Sequence, residues 1–401
     1  MVDVRVISNK ERVNSVRVRP LSYKITPDCV GDTVTFSLSR PRNLSVEVNG
    51  DIFHNLHLFA NPIDKFRPSD KEIQRALKKK KGSNLIYFGP GVHNLPNDTL
   101  FVPSGTTVYI DGGARVYGNI FTEGAHDVNI FGRGEVHPDG RGAGVWVRRS
   151  KNVRIDGIVV SQLPIGQCDS VELTNVKSIS YYGWGDGMDV FSSSNVILDG
   201  VFCRNSDDCA AVYASTQGFK GGSNNVLVKN ATLWADVAHP INIGGHGDPN
   251  GMDTVQNVTF RNIDILDQAE KQIDYQGCLA INPGDNTLVR NITFENIRIE
   301  DFRNGQLVNF RISFNPKYCV STGRGIQNVL VKDVTYNGSG ENLSIIAGYD
   351  ENHKISGIRF VNLVVNGRKI TDDMPGKPKW YKTGDMAGIF VGEHVENLSF
   401  E

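Results

Sequence analysis

Short runs of alternating apolar and polar residues follow one another along most of the chain from residue 85 onward. Most runs begin with an Asn, continue with an apolar residue, alternate, and end at Gly, Asn or Asp. Alternation with a period of two is typical of β-strands, and the separating residues are typical of turns. No helical periodicity lies between the runs, which argues against βαβ units and leucine-rich repeats. The pattern therefore predicts a series of short strands, as in KNVRIDGIVV, SNVILDGVFC, QNVTFRNIDI and RNITFENIRI.

The runs recur at intervals that indicate a solenoid. A unit of roughly 20 to 25 residues with two or three short strands is typical of one coil of a parallel β-helix. Coils stack about 4.8 Å apart, so equivalent apolar residues form an inward-facing ladder, and the preceding Asn residues form a hydrogen-bonded ladder in the turns. The register positions are Val128, Val153, Val176, Val196, Val226, Val258, Ile292, Val329, Ile358 and Leu398. Their steps are 25, 23, 20, 30, 32, 34, 37, 29 and 40 residues, and the wider steps indicate loops inserted on one side, often the binding side.

The first part of the chain has a different pattern. Its strands are separated by Pro, Asp and Gly turns and are of the antiparallel type, which predicts a small N-terminal β-sandwich or β-cap over residues 1–65. A linking helix over 66–84 is expected next, with Ser69 or Asp70 as its N-cap and Lys78 to Lys81 as its solvated end. The prediction is an all-β fold, in which residues 85–401 form a right-handed parallel β-helix catalytic domain.

Composition adds little to this picture. The chain has 401 residues and a net charge of −1, which gives no indication of a nucleic-acid or membrane partner. The start, MVDVRVISNK, has the pattern of a strand, so the protein is secreted or periplasmic if a signal peptide was removed and cytoplasmic if the chain is complete. The six cysteines lack zinc-site spacing, and Cys203 and Cys209 are either a disulfide or buried thiols. No cofactor or metal is expected, and the oligomeric state stays open.

One window, GWGDGMDVFSSSNVILDGVFCRNSDDCAAVY, concentrates the acidic residues. Asp186 and Asp207 are 21 residues apart, about one coil, and Asp208 follows directly. Stacking should therefore bring the three carboxylates together on one face, where mutual repulsion raises at least one pKa. Such a cluster is kept mainly for chemistry or for metal binding. Paired carboxylates are the groups that hydrolyse glycosidic bonds.

Three ordered blocks resemble the polygalacturonases of glycoside hydrolase family 28. GWGDGMD at 183–189, NSDDCAAVY at 205–213 and GGHGDPNG at 244–251 correspond to the NTDGxD, DDC and GHG of that family. The resemblance implies an inverting hydrolase with Asp207 as general acid and with Asp186 and Asp208 holding the attacking water. It also implies that His246 supports the acid and that Asp189 is structural.

The fourth block of that family, RIK, is replaced here by Ala280, Ile281 and Asn282. Asn282 and the later Arg311 are therefore candidate substrate contacts, as are Lys220 in a Gly-rich loop and the aromatic residues Trp184 and Tyr213. For each of the two aromatic residues a core position is the alternative.

In its missing RIK block and its sandwich-like start, the chain is similar to the dextranases and isopullulanases of glycoside hydrolase family 49. This resemblance implies a neutral glucan as the alternative substrate. Alternatives of another class are a β-helix polysaccharide lyase and a non-catalytic carbohydrate-binding protein.

Overall fold

The computed structural model describes residues 1–9, 12–78, 82–138, 140–339 and 341–401, with only the backbone of Glu341. The chain divides into two compact units, Met1–Phe66 and Arg67–Glu401. The first unit has two three-stranded antiparallel sheets and the 3-10 helix Leu21–Tyr23, and its core draws on both sheets, with Val34 and Phe36 from one and Leu44 and Val46 from the other. The sheets comprise Val2–Ile7, Thr33–Leu38 and Asp28–Val30, and Val16–Arg19, Arg42–Val48 and Leu56–Ala60.

The second unit begins with the short α-helix Asp70–Leu77. Ser69 is its N-cap, which was one of the two predicted alternatives. The Ser69 hydroxyl accepts a hydrogen bond from the backbone N–H of Glu72, and the Glu72 carboxylate accepts one from the Ser69 N–H at 2.8 Å. The rest of the predicted lysine-rich helix end, Lys79 to Lys81, lies outside the described residues. None of the described helices is long and apolar enough to cross a bilayer.

The prediction of a right-handed parallel β-helix is confirmed, since 29 strands of the second unit form one sheet that winds through three ladders. Ladder 1 contains Leu85–Phe88, Thr107–Ile110, His126–Gly132, Lys151–Asp156, Asp169–Thr174, Ser194–Asp199, Ser223–Lys229, Thr254–Gln268, Leu288–Ile299, Gly325–Tyr336, Ile355–Val365 and Val395–Phe400. Ladder 2 contains Gly91–Phe101, Ala114–Glu123, Glu135–His137, Val159–Val160, Lys177–Ile179, Phe202–Asn205 and Thr232–Ala235, and it continues in the second halves of the long ladder 1 strands.

Ladder 3 starts in the second halves of Gly91–Phe101 and Ala114–Glu123. It continues through Val145–Arg148, Ile165–Gly166, Met188–Phe191, Ala210–Tyr213, Ile241–Ile243, Leu279–Ile281, Val308–Arg311, Ser344–Ala347 and Ile389–Val391. The remaining elements are the strands Arg368–Ile370, Gly305–Gln306 and Glu341–Asn342 and the 3-10 helices Ile273–Tyr275 and Thr383–Ala387.

The predicted register holds at nine of the ten positions and is wrong at one. In ladder 1, Val153 pairs with Val171 and Val171 with Val196, so Val171 rather than Val176 occupies this coil. The coil is therefore 18 residues long. Val176 follows Asn175, which has a positive φ in the turn between ladders 1 and 2. An Asn followed by an apolar residue occurs at that turn as well as at the start of ladder 1 strands. The sequence pattern therefore selected Val176, which lies outside ladder 1.

The stacked coils bury the apolar residues and align the asparagines. Register residues such as Val153 and Val258 are fully buried. Asn225 and Asn291 have left-handed φ values, and each donates its side-chain amide to the Asn of a neighbouring coil, at 2.7 Å to Asn195 and 3.2 Å to Asn257. The predicted asparagine ladder is therefore confirmed, and it fixes the turns in place.

All six cysteines are free thiols. Cys203 and Cys209 are fully buried in the apolar core as free thiols, so of the two predicted alternatives the buried thiols are found and the disulfide is not. Burial raises the pKa of both thiols, which keeps them protonated and unreactive.

Candidate active site

Ladder 3 positions the acidic residues. Met188 pairs with Ala210, and Ala210 pairs with Ile241, in three successive strands. Asp186, Asp208 and His239 each lie two residues before one of these strands, so they occupy equivalent positions on neighbouring coils. Asp207 precedes Asp208 at the same edge. One carboxylate oxygen from each of Asp186, Asp207 and Asp208 lies within 4.8 Å of the others.

Close backbone contact between the coils holds this cluster. The Gly187 N–H donates to the Asp208 carbonyl at 2.7 Å. A Cβ on Gly187 would lie 2.2 Å from the Cys209 carbonyl oxygen, so a side chain there would push the coils apart. Buried Asn205 donates its amide to the Asp186 carbonyl at 3.2 Å. The GDGMD and NSDDC segments are therefore fitted to each other, which sets the distance between their acids.

Asp208 is saturated with hydrogen-bond donors. Its Oδ1 accepts from the His239 backbone N–H at 3.0 Å and from His239 Nδ1 at 2.7 Å. Its Oδ2 accepts from the Tyr213 hydroxyl at 2.5 Å and from Asn242 Nδ2 at 2.8 Å. Burial acts to raise the pKa of Asp208, but the charge of His239 and these donors outweigh burial and hold the pKa below its usual range. Asp208 is therefore a fixed carboxylate anion.

The pKa values of Asp207 and Asp186 are shifted in the opposite direction, upward. Burial first, and then the negative charge of Asp208, raise the pKa of Asp207 to about 7. Burial, followed by repulsion from Asp207 and Asp208, raises the pKa of Asp186 well above the usual range. The pKa of Asp207 therefore lies near neutral pH beside a fixed anion, and this is the environment in which a carboxylic acid serves as a proton donor.

His239 hydrogen-bonds the cluster through Asp208, and the predicted His246 lines the same pocket. His246 follows strand Ile241–Ile243 and packs edge-on against the Tyr213 ring, with 5.1 Å between ring centroids. Burial lowers the pKa of His246, which favours the neutral imidazole. Sequence analysis selected His246 because its glycine-rich setting matches a motif, whereas strand register places His239 opposite Asp208.

The aromatic candidates have separate positions. Tyr213 is buried, stacks on Phe191 with 5.9 Å between centroids, and holds Asp208 through its hydroxyl, so it offers no open ring face. Trp184 is 66% exposed at the edge of the pocket and meets Tyr318 edge-on at 6.3 Å. Tyr318 contacts Tyr275 at 4.8 Å, so three aromatic rings form one wall of the pocket.

The pocket over the acids has a volume of about 380 Å³. Of the remaining predicted contacts, Asn282 lines it and donates to Asn309 at 3.0 Å. Lys220 is 70% exposed outside the lining, 3.5 Å from Asp248. Arg311 is bound to Asp274 at 2.6 Å, and it is Asp274 that reaches the lining.

Sequence reasoning ranked His239 low and passed over Asn242, Glu270, Tyr275 and Tyr318. His239 and Asn242 had a usable signal, because they stand one coil beyond the acid pair. Glu270 and Tyr275 lie on the loop after strand Thr254–Gln268, and Tyr318 lies on the loop after strand Val308–Arg311. These loops interrupt the alternation of apolar and polar residues, so the sequence pattern does not predict where their side chains lie.

The compact cluster can hold a small polar species. Two oxygens that hydrogen-bond one water at roughly 2.8 Å and a tetrahedral angle lie about 4.6 Å apart, a distance that fits within the 4.8 Å limit enclosing the three acid oxygens. Three carboxylate oxygens are also a ligand set that divalent cations use, but the four donors to Asp208 leave that carboxylate no lone pair for a cation.

Substitution of the two histidines should separate their roles. We expect His239→Ala to lower kcat at least about tenfold. It should also move the high-pH limb of the rate profile, the pH range in which activity falls as Asp207 loses its proton, to higher pH, because the electrostatic effect of His239 lowers the pKa of Asp207. His246→Ala, which leaves the Asp208 contacts intact, should leave that limb in place. Initial rates of glycan cleavage measured across pH for both variants decide this, and an unmoved limb in His239→Ala contradicts the assignment.

Known proteins share sequence with this chain. Residues 145–374 match the model for Glycosyl hydrolases family 28. A polygalacturonase from Juniperus ashei is 26% identical over 295 residues, covering 65% of this chain and 54% of that protein. The chain spans about half the length of the curated relatives that it matches first.

Solved structures share its fold. Dex49A from Penicillium minioluteum superimposes with a TM-score of 0.65 at 14% identity, over 99% of this chain and 81% of that one. The family 28 exopolygalacturonase of Yersinia enterocolitica gives a TM-score of 0.57 at 13% identity, over 92% and 85%. Identities this low show the shared β-helix and nothing more.

Proposed function

Because the chain belongs to family 28 of the glycosyl hydrolases, we propose that it hydrolyses O-glycosidic bonds in a polysaccharide or its oligomers. The observation that carries the proposal is the cluster of Asp186, Asp207 and Asp208 at the base of an open pocket. Glycoside hydrolysis needs a protonated carboxylic acid and a carboxylate beside one another, and the three environments in this cluster supply both.

The environments support specific roles. Asp207, with a pKa of about 7, is the general acid that protonates the leaving oxygen. Asp186 is the group that holds and deprotonates the attacking water: when Asp207 carries its proton, repulsion from Asp207 no longer raises the pKa of Asp186, so Asp186 is the carboxylate that accepts the proton of the water. Asp208 was expected to share the water, but four donors fill its four lone pairs. Its role in this proposal is the fixed charge that keeps Asp207 protonated.

Direct attack by this water inverts the anomeric carbon, which is also the outcome that the family resemblance implies. The nearest oxygens of the three acids lie within 4.8 Å of one another, closer than the roughly 6.5–9.5 Å typical of inverting enzymes, so attack with inversion requires the acids themselves to hold the water. If Asp186 attacked the sugar itself, the product would keep its configuration. Proton NMR of the first product formed distinguishes the two, and we expect the inverted anomer.

Activity should depend on pH with a descending limb near 7. Asp207 must carry its proton to donate it, so activity is present below its pKa of about 7 and is lost as the pH rises through that value. An unshifted aspartate would lose its proton near pH 4. The measurement is kcat/KM from pH 4 to 9, and a limb near pH 4 to 5 would contradict the assignment of the acid.

A substrate panel tests the function itself. Polygalacturonate, methyl-esterified polygalacturonate, rhamnogalacturonan, dextran and pullulan are incubated with the protein, and reducing ends are measured. Hydrolysis gives reducing ends without absorbance of an unsaturated uronate. A lyase would show that absorbance and lose activity with a chelator, and no release from any polymer would remove the hydrolase proposal.

A further inference from the structure

Three further acidic residues, Asp189, Glu270 and Asp274, line the pocket beyond the catalytic cluster. Glu270 is buried in the lining, where it accepts the backbone N–H of Gln272 at 2.7 Å and of Ala238 at 3.3 Å. Asp274 lines the opening with its carboxylate largely exposed. Within the described part of the chain, the lining contains no Lys or Arg. A sugar that enters therefore meets carboxylates on more than one side.

Three of the basic residues near the opening have partners within the protein. Arg311 donates to Asp274 at 2.6 Å, and Lys220 lies 3.5 Å from Asp248. Lys317 lies over the Tyr318 ring, 4.8 Å from its centroid. To gain a charge-assisted contact with Arg311, a sugar carboxylate would have to displace Asp274. It would also lie near negative charges, where the local dielectric makes repulsion strong.

Hydrogen-bonding capacity in the lining points to hydroxyl groups. Asn242 and Asn282 each have a buried amide oxygen, Oδ1, with no hydrogen-bond partner among the described residues. These oxygens accept hydrogen bonds. At the position where a uronate carries its carboxylate, a hydroxyl group of a neutral sugar can donate to them, whereas a carboxylate has only acceptors. Buried acceptors left unpaired are costly, so a ligand that donates is favoured.

From these observations, and resting on the proposed hydrolase function, we infer that the pocket binds uncharged sugar units at the cleaved bond and discriminates against units that carry a free carboxylate. The class of substrate is a neutral glycan, or a uronate polymer whose carboxylates are esterified.

A matched pair of polymers tests this inference. Polygalacturonate and its fully methyl-esterified form have the same backbone and linkage and differ in charge. We expect kcat/KM for the ester, or for whichever neutral glucan of the panel is cleaved, to exceed that for polygalacturonate at least tenfold. Equal or faster cleavage of polygalacturonate would overturn the inference while leaving the hydrolase function intact.

One variant should reverse part of the preference. Asp274→Asn removes a charge from the opening and leaves the Arg311 guanidinium available to a uronate, so cleavage of polygalacturonate should rise severalfold relative to the neutral polymer. Asp248→Asn is the matched control, because it releases Lys220 outside the lining and should leave the ratio unchanged. A ratio that Asp274→Asn does not move would count against the proposed charge discrimination.

The inference can be tested even if no polymer is cleaved, an outcome that removes the hydrolase function. Calorimetric titration with digalacturonate and with its dimethyl ester then gives the comparison directly. Tighter binding of the ester supports the inference, and equal or tighter binding of the free acid overturns it.

Discussion

Asp207→Asn is expected to lower kcat on a polysaccharide by about 10³–10⁴-fold. The amide keeps the shape of the side chain and can still accept the Asp208 backbone N–H, which lies 3.0 Å from Asp207 Oδ1. It cannot deliver a proton to the leaving oxygen. Because a sugar alkoxide is a poor leaving group, loss of this proton affects the chemical step and not binding, so KM should change little.

An aryl glycoside makes the test specific to the acid. A nitrophenolate leaves without protonation, so Asp207→Asn should lose far less activity on a nitrophenyl glycoside than on the natural linkage. Asp199→Asn is the matched control: Asp199 bonds Asn230 at 2.7 Å and lies outside the pocket, so this variant should retain full activity. Equal losses on both kinds of substrate would show that Asp207 is not the proton donor.

The sequence was sufficient to predict the stacking, and stacking alone was sufficient to predict the meeting of Asp186 with Asp207 and Asp208. Period-two alternation and coil-length spacing are properties of neighbouring residues, and a parallel β-helix turns spacing along the chain into distance across coils. The same reasoning failed at Val176, because the turn between two ladders uses the same Asn–apolar pair as the start of a strand.

The histidine of the site shows a second limit. A glycine-rich motif around His246 was a stronger local signal than the single His239 before a proline. Which histidine faces Asp208 is decided by the pairing of Ala210 with Ile241, a contact between residues 31 apart. The aromatic wall depends on loops whose length varies from coil to coil, and only their packing in three dimensions brings Tyr275 to Tyr318.

The charge on Asp208 gives the second large effect. Asp208→Asn should lower kcat by about 10²–10³-fold, because a preorganised charge beside the reacting groups is lost. It should also move the high-pH limb downward, since the negative charge of Asp208 is one of the causes that raise the pKa of Asp207 to about 7. His239→Ala removes the electrostatic effect by which His239 lowers the pKa of Asp207 and should move the limb upward, so the shifts of the two variants are opposite in sign.

That difference in sign separates an electrostatic role for Asp208 from a structural one. A variant that only loosened the coils would lower activity at every pH without moving the limb. Tyr213→Phe is the matched control, because it removes one of the four donors to Asp208 and keeps the charge. It should cost far less activity than Asp208→Asn. If the limb stays near pH 7 in Asp208→Asn, the charge of Asp208 does not raise the pKa of Asp207, and burial alone does. Asp208 would then have the role that the family resemblance implies, which is to hold the attacking water.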